Sequence, residues 1–225
     1  MVQTGFLAEQ VPTCLRVLIA DDVQETRRST RLMLAMNPEV EVVAIARNGN
    51  EAVEMAKEHD PDIVILDINM PGMDGISAFK AMQEILPDVS CIIISAEKEN
   101  TTLRQAMSAG AREYLIKPFT VDELNLAVHK VSQIILTKRT EEARMAMVRD
   151  QREAYMKRLA QEYAKTRRSD DQALEVFEHL ATNPNCEIRW LKVLAMIYVI
   201  RQKWDKLKVL AERLQYHPEA TESEN

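Results

Sequence analysis

Asp62-Ile63-Val64-Ile65-Leu66-Asp67-Ile68-Asn69-Met70-Pro71-Gly72-Met73-Asp74-Gly75 is the stretch that decides the fold. The apolar run Ile63 to Leu66, bounded by turn formers, predicts a short strand covered on both faces, as in a parallel sheet. That strand ends on an acid, Asp67, and the chain then meets Pro71, Gly72 and Gly75. Open parallel sheets bind ligands in the crevice beyond the carboxyl ends of their strands, so a carboxylate there faces ligand and solvent rather than core. An aspartate that closes a strand into a turn is common, and Asp67 gains meaning only from the other strand ends.

Working outward, strands and helices alternate. Leu15 to Ala20 predicts a first strand, and Val23 to Met36 a helix with Leu32, Leu34 and Met36 late on it, ended by Asn37-Pro38. Val40 to Ala46 is a second strand. Asn48-Gly49 turns the chain into a helix over Glu51 to His59 that carries Ala52, Val53, Met55 and Ala56 and stops at Asp60-Pro61. After the central stretch come a helix over Ile76 to Leu86, ended by Pro87, and a fourth strand over Val89 to Ile94. A helix over Asn100 to Ala109 closes on Gly110, and Arg112 to Ile116 is the fifth strand. Five strands alternating with five helices imply right-handed crossovers and a doubly wound α/β parallel sheet.

The strand ends can now be compared. The first ends at Asp21-Asp22, the third at Asp67, the fourth at Ser95 and the fifth at Lys117-Pro118. Three carboxylates converging on one crevice repel unless a hard cation sits among them, and oxygen-only ligation of this kind suits Mg2+. Lys117 supplies a mobile point charge and Ser95 a hydroxyl, both suited to phosphoryl oxygens.

Over roughly residues 15 to 137 the chain resembles the receiver domain of two-component response regulators. The residues that carry the resemblance are the acidic pair after strand one, Asp67 followed by Met70-Pro71 and Gly75, Ser95 after strand four, and Lys117-Pro118 after strand five. The resemblance implies a flavodoxin-like fold in which Asp67 accepts a phosphoryl group from a sensor histidine kinase or phosphotransfer protein. It implies a protein that is not an enzyme in the ordinary sense but assists its own phosphorylation and dephosphorylation. Asp22 and Asp67 would ligate Mg2+ by side chain, Asn69 by its carbonyl, and Asp21 directly or through water. Lys117 and Ser95 would hold the phosphoryl group, with a cis Lys117-Pro118 peptide. Ser95 and Tyr114 would form the switch pair, and Asn69 and Glu97 would set phosphoryl lifetime. The haloacid dehalogenase type of aspartyl-phosphate chemistry wants a second acid two residues after the nucleophile, where this chain has Asn69.

From Asp122 to about Arg168 there is no Gly or Pro, which predicts that the last receiver helix continues outward, with a break expected near Thr137 to Thr140. Leu124, Val128, Val131 and Ile135 have seam spacing, and Lys138, Glu142, Arg149 and Arg152 follow on the same seam. Beyond it a shift of 34 residues aligns Met156 with Trp190, Leu159 with Val193, Tyr163 with Ile197, Leu180 with Leu214 and Pro184 with Pro218. That period is similar to tetratricopeptide repeats, here 153–186 and 187–220, although the family's glycine position reads Ala160 or Leu194 and Phe177 becomes Ala211. The expected layout is a tail (1–14), a receiver (15–137), a helical linker (138–152), an all-α domain (153–220) and a polar tail (221–225). Two repeats bury little surface, so self-association as a homodimer or docking on a target protein is expected.

Charge narrows the function classes. Residues 1–139 hold 14 Lys and Arg against 20 Asp and Glu, and the remainder 15 against 15, so neither half is basic and nucleic acid is not expected as the main partner. The competing expectation is a transcriptional regulator with a helix-turn-helix in residues 170–215, where Lys203, Lys206, Lys208 and Arg213 are interleaved with acids. No apolar run approaches the roughly 18 residues of a membrane span, no secretory signal opens the sequence, and a cytoplasmic location without membrane insertion is expected. Cys14, Cys91 and Cys186 are scattered and odd in number, so neither a disulfide framework nor a zinc site is expected.

Overall fold

In the computed structural model, which describes residues 14–96 and 100–215, the strands are β1 (Leu15–Ala20), β2 (Val40–Ala46), β3 (Ile63–Asp67), β4 (Ser90–Ser95) and β5 (Glu113–Ile116). All neighbouring pairs are parallel and the sheet order is β2-β1-β3-β4-β5. The helices between them are α1 (Gln24–Leu34), α2 (Gly49–His59), α3 (Gly75–Ile85) and α4 (Asn100–Ser108); α5 (Val121–Lys165), α6 (Asp171–Ala181), α7 (Ile188–Ile200) and α8 (Trp204–Gln215) follow. The described residues fall into two compact units that divide between Thr140 and Glu141.

The sheet's two faces are built by the period-2 alternation of its strands. Leu18, Ala20, Val64, Leu66, Cys91 and Ile93 pack with Ala52 and Ala56 of α2 and Ala78, Phe79 and Met82 of α3. Val17, Ile19, Ile63, Ile65, Ile92 and Ile94 pack on the opposite face with Leu34 of α1 and Leu124, Val128, Val131 and Ile135 of α5. The seam-like spacing at the start of α5 is therefore receiver core. Of the three apolar residues expected late on the first helix only Leu34 is buried: Leu32, two residues away, cannot share its face, and Met36 lies beyond the end of α1 at Leu34, so both are exposed.

The break expected near Thr137 to Thr140 is not there: α5 runs unbroken through 45 residues. The Thr140 hydroxyl donates to the Leu136 carbonyl at 2.8 Å, a bond made inside the helix, so the threonines do not interrupt it. Lys138 and Arg139 anchor this turn to the receiver through ion pairs with Asp88 and Asp62. Cys14, Cys91 and Cys186 are free thiols, the last two buried.

In the second unit the end of α5 packs with α6, and α7 with α8, around Ala160, Phe177, Trp190, Leu191, Leu194 and Ile197. The Phe177 and Trp190 rings lie 6.1 Å apart. After α5 the Arg168 amide bonds the Tyr163 carbonyl at 3.0 Å, and after α7 the Lys203 amide bonds the Tyr198 carbonyl at 2.9 Å. Each turn carries one left-handed residue, Arg167 (φ 53°) or Gln202 (φ 55°). The next helix starts at Asp171 or Trp204 and ends at Ala181 or Gln215, so the second turn is shorter than the first and the helix ends return to the 34-residue register. Among the described residues, no helix is long and apolar enough to cross a membrane.

Candidate functional site

The site lies at the carboxyl ends of β1, β3 and β5. Asp67 is the last residue of β3 and only 4% exposed. Asp21, fully buried, directly follows β1, and Asp22 beside it is exposed. Ligand oxygens of Asp21, Asp22 and Asp67 all lie within 4.8 Å of one another. The Lys117 ammonium, just past β5, lies 2.7 Å from Asp21 Oδ2 and 3.0 Å from Asp67 Oδ1.

Local chemistry explains how these groups are held. Asp21 Oδ1 accepts the Val23 amide at 2.8 Å, which turns the chain from β1 into α1. Arg27, on the first turns of α1, donates to the carbonyls of Asp21 (2.6 Å) and Asp22 (2.9 Å) and clamps the acidic pair from outside the site. The loop after Asp67 is threaded between two glycines. A Cβ on Gly75 would stand 2.1 Å from the Asp67 carbonyl oxygen, and one on Gly49 2.4 Å from the Met73 carbonyl oxygen. Only glycine lets these backbones approach so closely. Asp74 then caps α3 by accepting the Ser77 amide at 2.8 Å.

The remaining residues that the sequence singles out sit around this centre. Ser95 ends β4 and is fully buried; its carbonyl accepts the Lys117 amide at 2.8 Å. Its strand neighbour Ile94 is in register with Asp67. Asn69 is exposed, two residues beyond Asp67 on the loop. Tyr114 is half-buried on β5 and packs against the α2–α4 side of the core. The Lys117-Pro118 peptide is cis. Glu97 lies outside the described residues. Arg27 belongs to the site without standing out in the sequence, and Gly49 and Gly75, legible there as turn and motif glycines, serve the site by close backbone contact. A cation one helical turn beyond the acidic pair is the signal that points to Arg27, whereas the glycine contacts join segments distant in the chain.

Among the described residues, the electrostatics are those of an anion-rich crevice with one cation, Lys117, between its carboxylates. Burial pushes the Asp67 carboxyl up from its ordinary value; Lys117 opposes this, and the charges of Asp21 and Asp22 add to it. Burial alone would lower the Lys117 ammonium, but its bonds to Asp21 and Asp67 outweigh burial and raise it. One lysine cannot balance three carboxylates, and a donor set made only of oxygens fits a hard divalent cation such as Mg2+.

A five-stranded parallel sheet in this order, with acids and a lysine gathered at its carboxyl rim, defines a receiver-type signalling domain. The chain belongs to the response regulator receiver family, whose model, response regulator receiver domain, matches residues 17–129. It is similar to the chemotaxis protein CheY of Bacillus subtilis (strain 168), 42% identical over 115 residues, covering 51% of this chain and 95% of that one. It is also similar to the transcriptional regulatory protein DegU of Brevibacillus brevis, 35% identical over 119 residues, covering 53% of this chain and half of that one. The receiver (REC) domain of AraT, a response regulator from Geobacillus stearothermophilus, superposes with a TM-score of 0.53 at 34% identity, covering 56% of this chain and 98% of that one.

Proposed function

We propose that this chain is a phosphorylation switch in which Asp67 accepts the phosphoryl group and the helical second half delivers the output. The observation that carries the proposal is the Lys117 ammonium lying between Asp21 at 2.7 Å and Asp67 at 3.0 Å inside a three-carboxylate set. In phosphoryl transfer there is little covalent chemistry for a protein to perform, and positioning and charge neutralisation carry the rate.

The Asp67 side chain is presented at the strand end with its backbone immobilised by β3 and β4 pairing. A carboxylate oxygen of Asp67 bonds to phosphorus as the P–N bond of a donor phosphohistidine breaks. The electron pair stays on the imidazole nitrogen, which takes up a proton. Lys117 pairs with the phosphoryl oxygens, and Ser95 donates its hydroxyl to one of them. Asp22, Asp67 and the Asn69 carbonyl, with Asp21 directly or through water, would hold a Mg2+ ion, which would supply neutralisation of the phosphoryl charge. Movement of Ser95 toward the phosphoryl group opens room for Tyr114 to turn inward, which couples the site to α4 and β5. Asn69 and Glu97 set the lifetime of the phosphoryl bond. Receiver domains take their phosphoryl group from a histidine kinase or phosphotransfer protein, and that is the upstream partner assigned to this one.

The output is read as protein binding by residues 153–220, a tetratricopeptide-like pair joined to the receiver (15–137) by the helical linker (138–152). The recurrence of the helix-end hydrogen bonds and left-handed residues after α5 and α7 supports this. The transcriptional reading is less favoured because cations of the segment are used internally. Lys206 pairs with Glu178 at 2.7 Å, and Arg213 donates to carbonyls of Ala181, Asn183 and Pro184. The function is tested by incubation with acetyl phosphate and Mg2+, which adds one phosphoryl group by intact mass; uptake that persists in Asp67→Ala overturns the assignment.

A further inference from the structure

The middle of α5 is exposed to solvent among the described residues. Every residue from Glu141 to Arg152 is exposed except half-buried Ala146. An isolated helix of about three turns is marginal in water, and one left bare on all sides ordinarily bridges domains or waits for a partner. This stretch is not uniformly polar. Glu141, Met145, Val148, Arg152 and Tyr155 follow one another at spacings of four, three, four and three, which places them on a single face. Met145 is 72% exposed, Val148 55% and Tyr155 61%, far more than such side chains show when covered.

The charges on that face select its occupant and its direction. We propose that α5 pairs with α5 of a second copy of this chain, antiparallel, about a two-fold axis between residues 146 and 147. In that register Met145 meets Val148 of the other copy, and Glu141 meets Arg152 of the other copy, each contact occurring twice by symmetry. Arg149 falls opposite Glu142 at the flank. A parallel pair in heptad register would set Glu141 against Glu141 and Arg152 against Arg152, with Arg144 facing Arg149 alongside, so like charges meet where the antiparallel pair has opposite ones. The face therefore matches its own reverse and repels its own parallel copy. The contact is short, which makes it a weak, concentration-dependent dimer rather than a permanent one. It involves none of the residues at the phosphoryl site, and it stands or falls independently of the assignment of Asp67.

The test is sedimentation equilibrium of the full chain over a concentration series, with Glu141→Arg, Arg152→Glu and the double exchange as variants. Each single exchange turns two attractions into two repulsions and is expected to weaken the dimer about tenfold. The double exchange restores opposite charges in both layers and recovers the dimer, a rescue that a parallel arrangement cannot produce. As a second measurement, a short bismaleimide is expected to cross-link a mixture of Met145→Cys and Val148→Cys chains more efficiently than either variant alone. A chain that stays monomeric throughout, single exchanges that leave association unchanged, or cross-linking that is strongest within one variant would each overturn the proposal.

Discussion

Replacing Asp67 by asparagine is expected to stabilise the metal-free protein and to weaken its response to Mg2+. Asp67 takes part in one attraction, with Lys117 at 3.0 Å, and two repulsions, with Asp21 and Asp22 inside 4.8 Å. At an effective dielectric of about 20 the attraction is worth about 5.5 kcal/mol and each repulsion about 3.5 kcal/mol. Asp22 is exposed and screened, so the three terms come close to cancelling. What remains is the cost of holding a carboxylate with only 4% exposure away from water, the same cause that raises its pKa. A neutral amide at this position removes that cost, and the expected gain is on the order of 1–2 kcal/mol, or about 3 °C per kcal/mol in melting temperature. Because the folded pKa lies above the unfolded one, folding takes up a proton. The wild type is therefore relieved at acid pH, and the penalty returns as pH rises through the folded pKa. The gap between variant and wild type should thus narrow on acidification. With Asp67 among the proposed Mg2+ ligands, magnesium at about a hundred times its dissociation constant is expected to stabilise the wild type by about 2.7 kcal/mol and the variant by less. Thermal melts in EDTA and in Mg2+ across pH measure all of this. A variant less stable than wild type in EDTA, or equal Mg2+ shifts in both proteins, would refute the reasoning.

Other outcomes follow from the same geometry. Lys117→Ala leaves buried Asp21 and Asp67 without their cation and should cost about 3–5 kcal/mol at neutral pH in urea titrations, with part of the loss recovered at acid pH. Gly75→Ala forces a Cβ against the Asp67 carbonyl and should cost about 1–3 kcal/mol while slowing acetyl-phosphate uptake, read by melting and intact mass. Asp170→Ala removes the cap on the Ala173 amide at 2.9 Å and should lower the melting temperature of the helical unit, with phosphoryl uptake unchanged.

Much of the sheet can be read along the chain because each strand is a local pattern. β1 and β2 begin and end where the apolar runs do, and the polar residue closing each of β3 and β4 marks the rim. Helix ends are less readable. α2 starts at Gly49, two residues before the expected Glu51, because Asn48 caps it by accepting the Glu51 amide. α5 passes through Thr137 to Thr140, because hydroxyl bonding to the preceding turn is compatible with a helix.

The sequence by itself determined the alternation, the strand ends and the residues Asp21, Asp22, Asp67, Ser95 and Lys117, since strand runs and their terminal residues are properties of neighbours in the chain. Only the tertiary structure decided which face of α5 is core and which is bare. Leu124, Val128, Val131 and Ile135 have the spacing of a coiled-coil seam, and the same spacing serves equally for packing on a sheet. It also decided that Lys117 reaches both Asp21 and Asp67, that Arg27 clamps the acidic pair and that Gly75 must be bare against Asp67. Those are contacts whose distances depend on how three strand ends and a helix are brought together, and no local pattern encodes them.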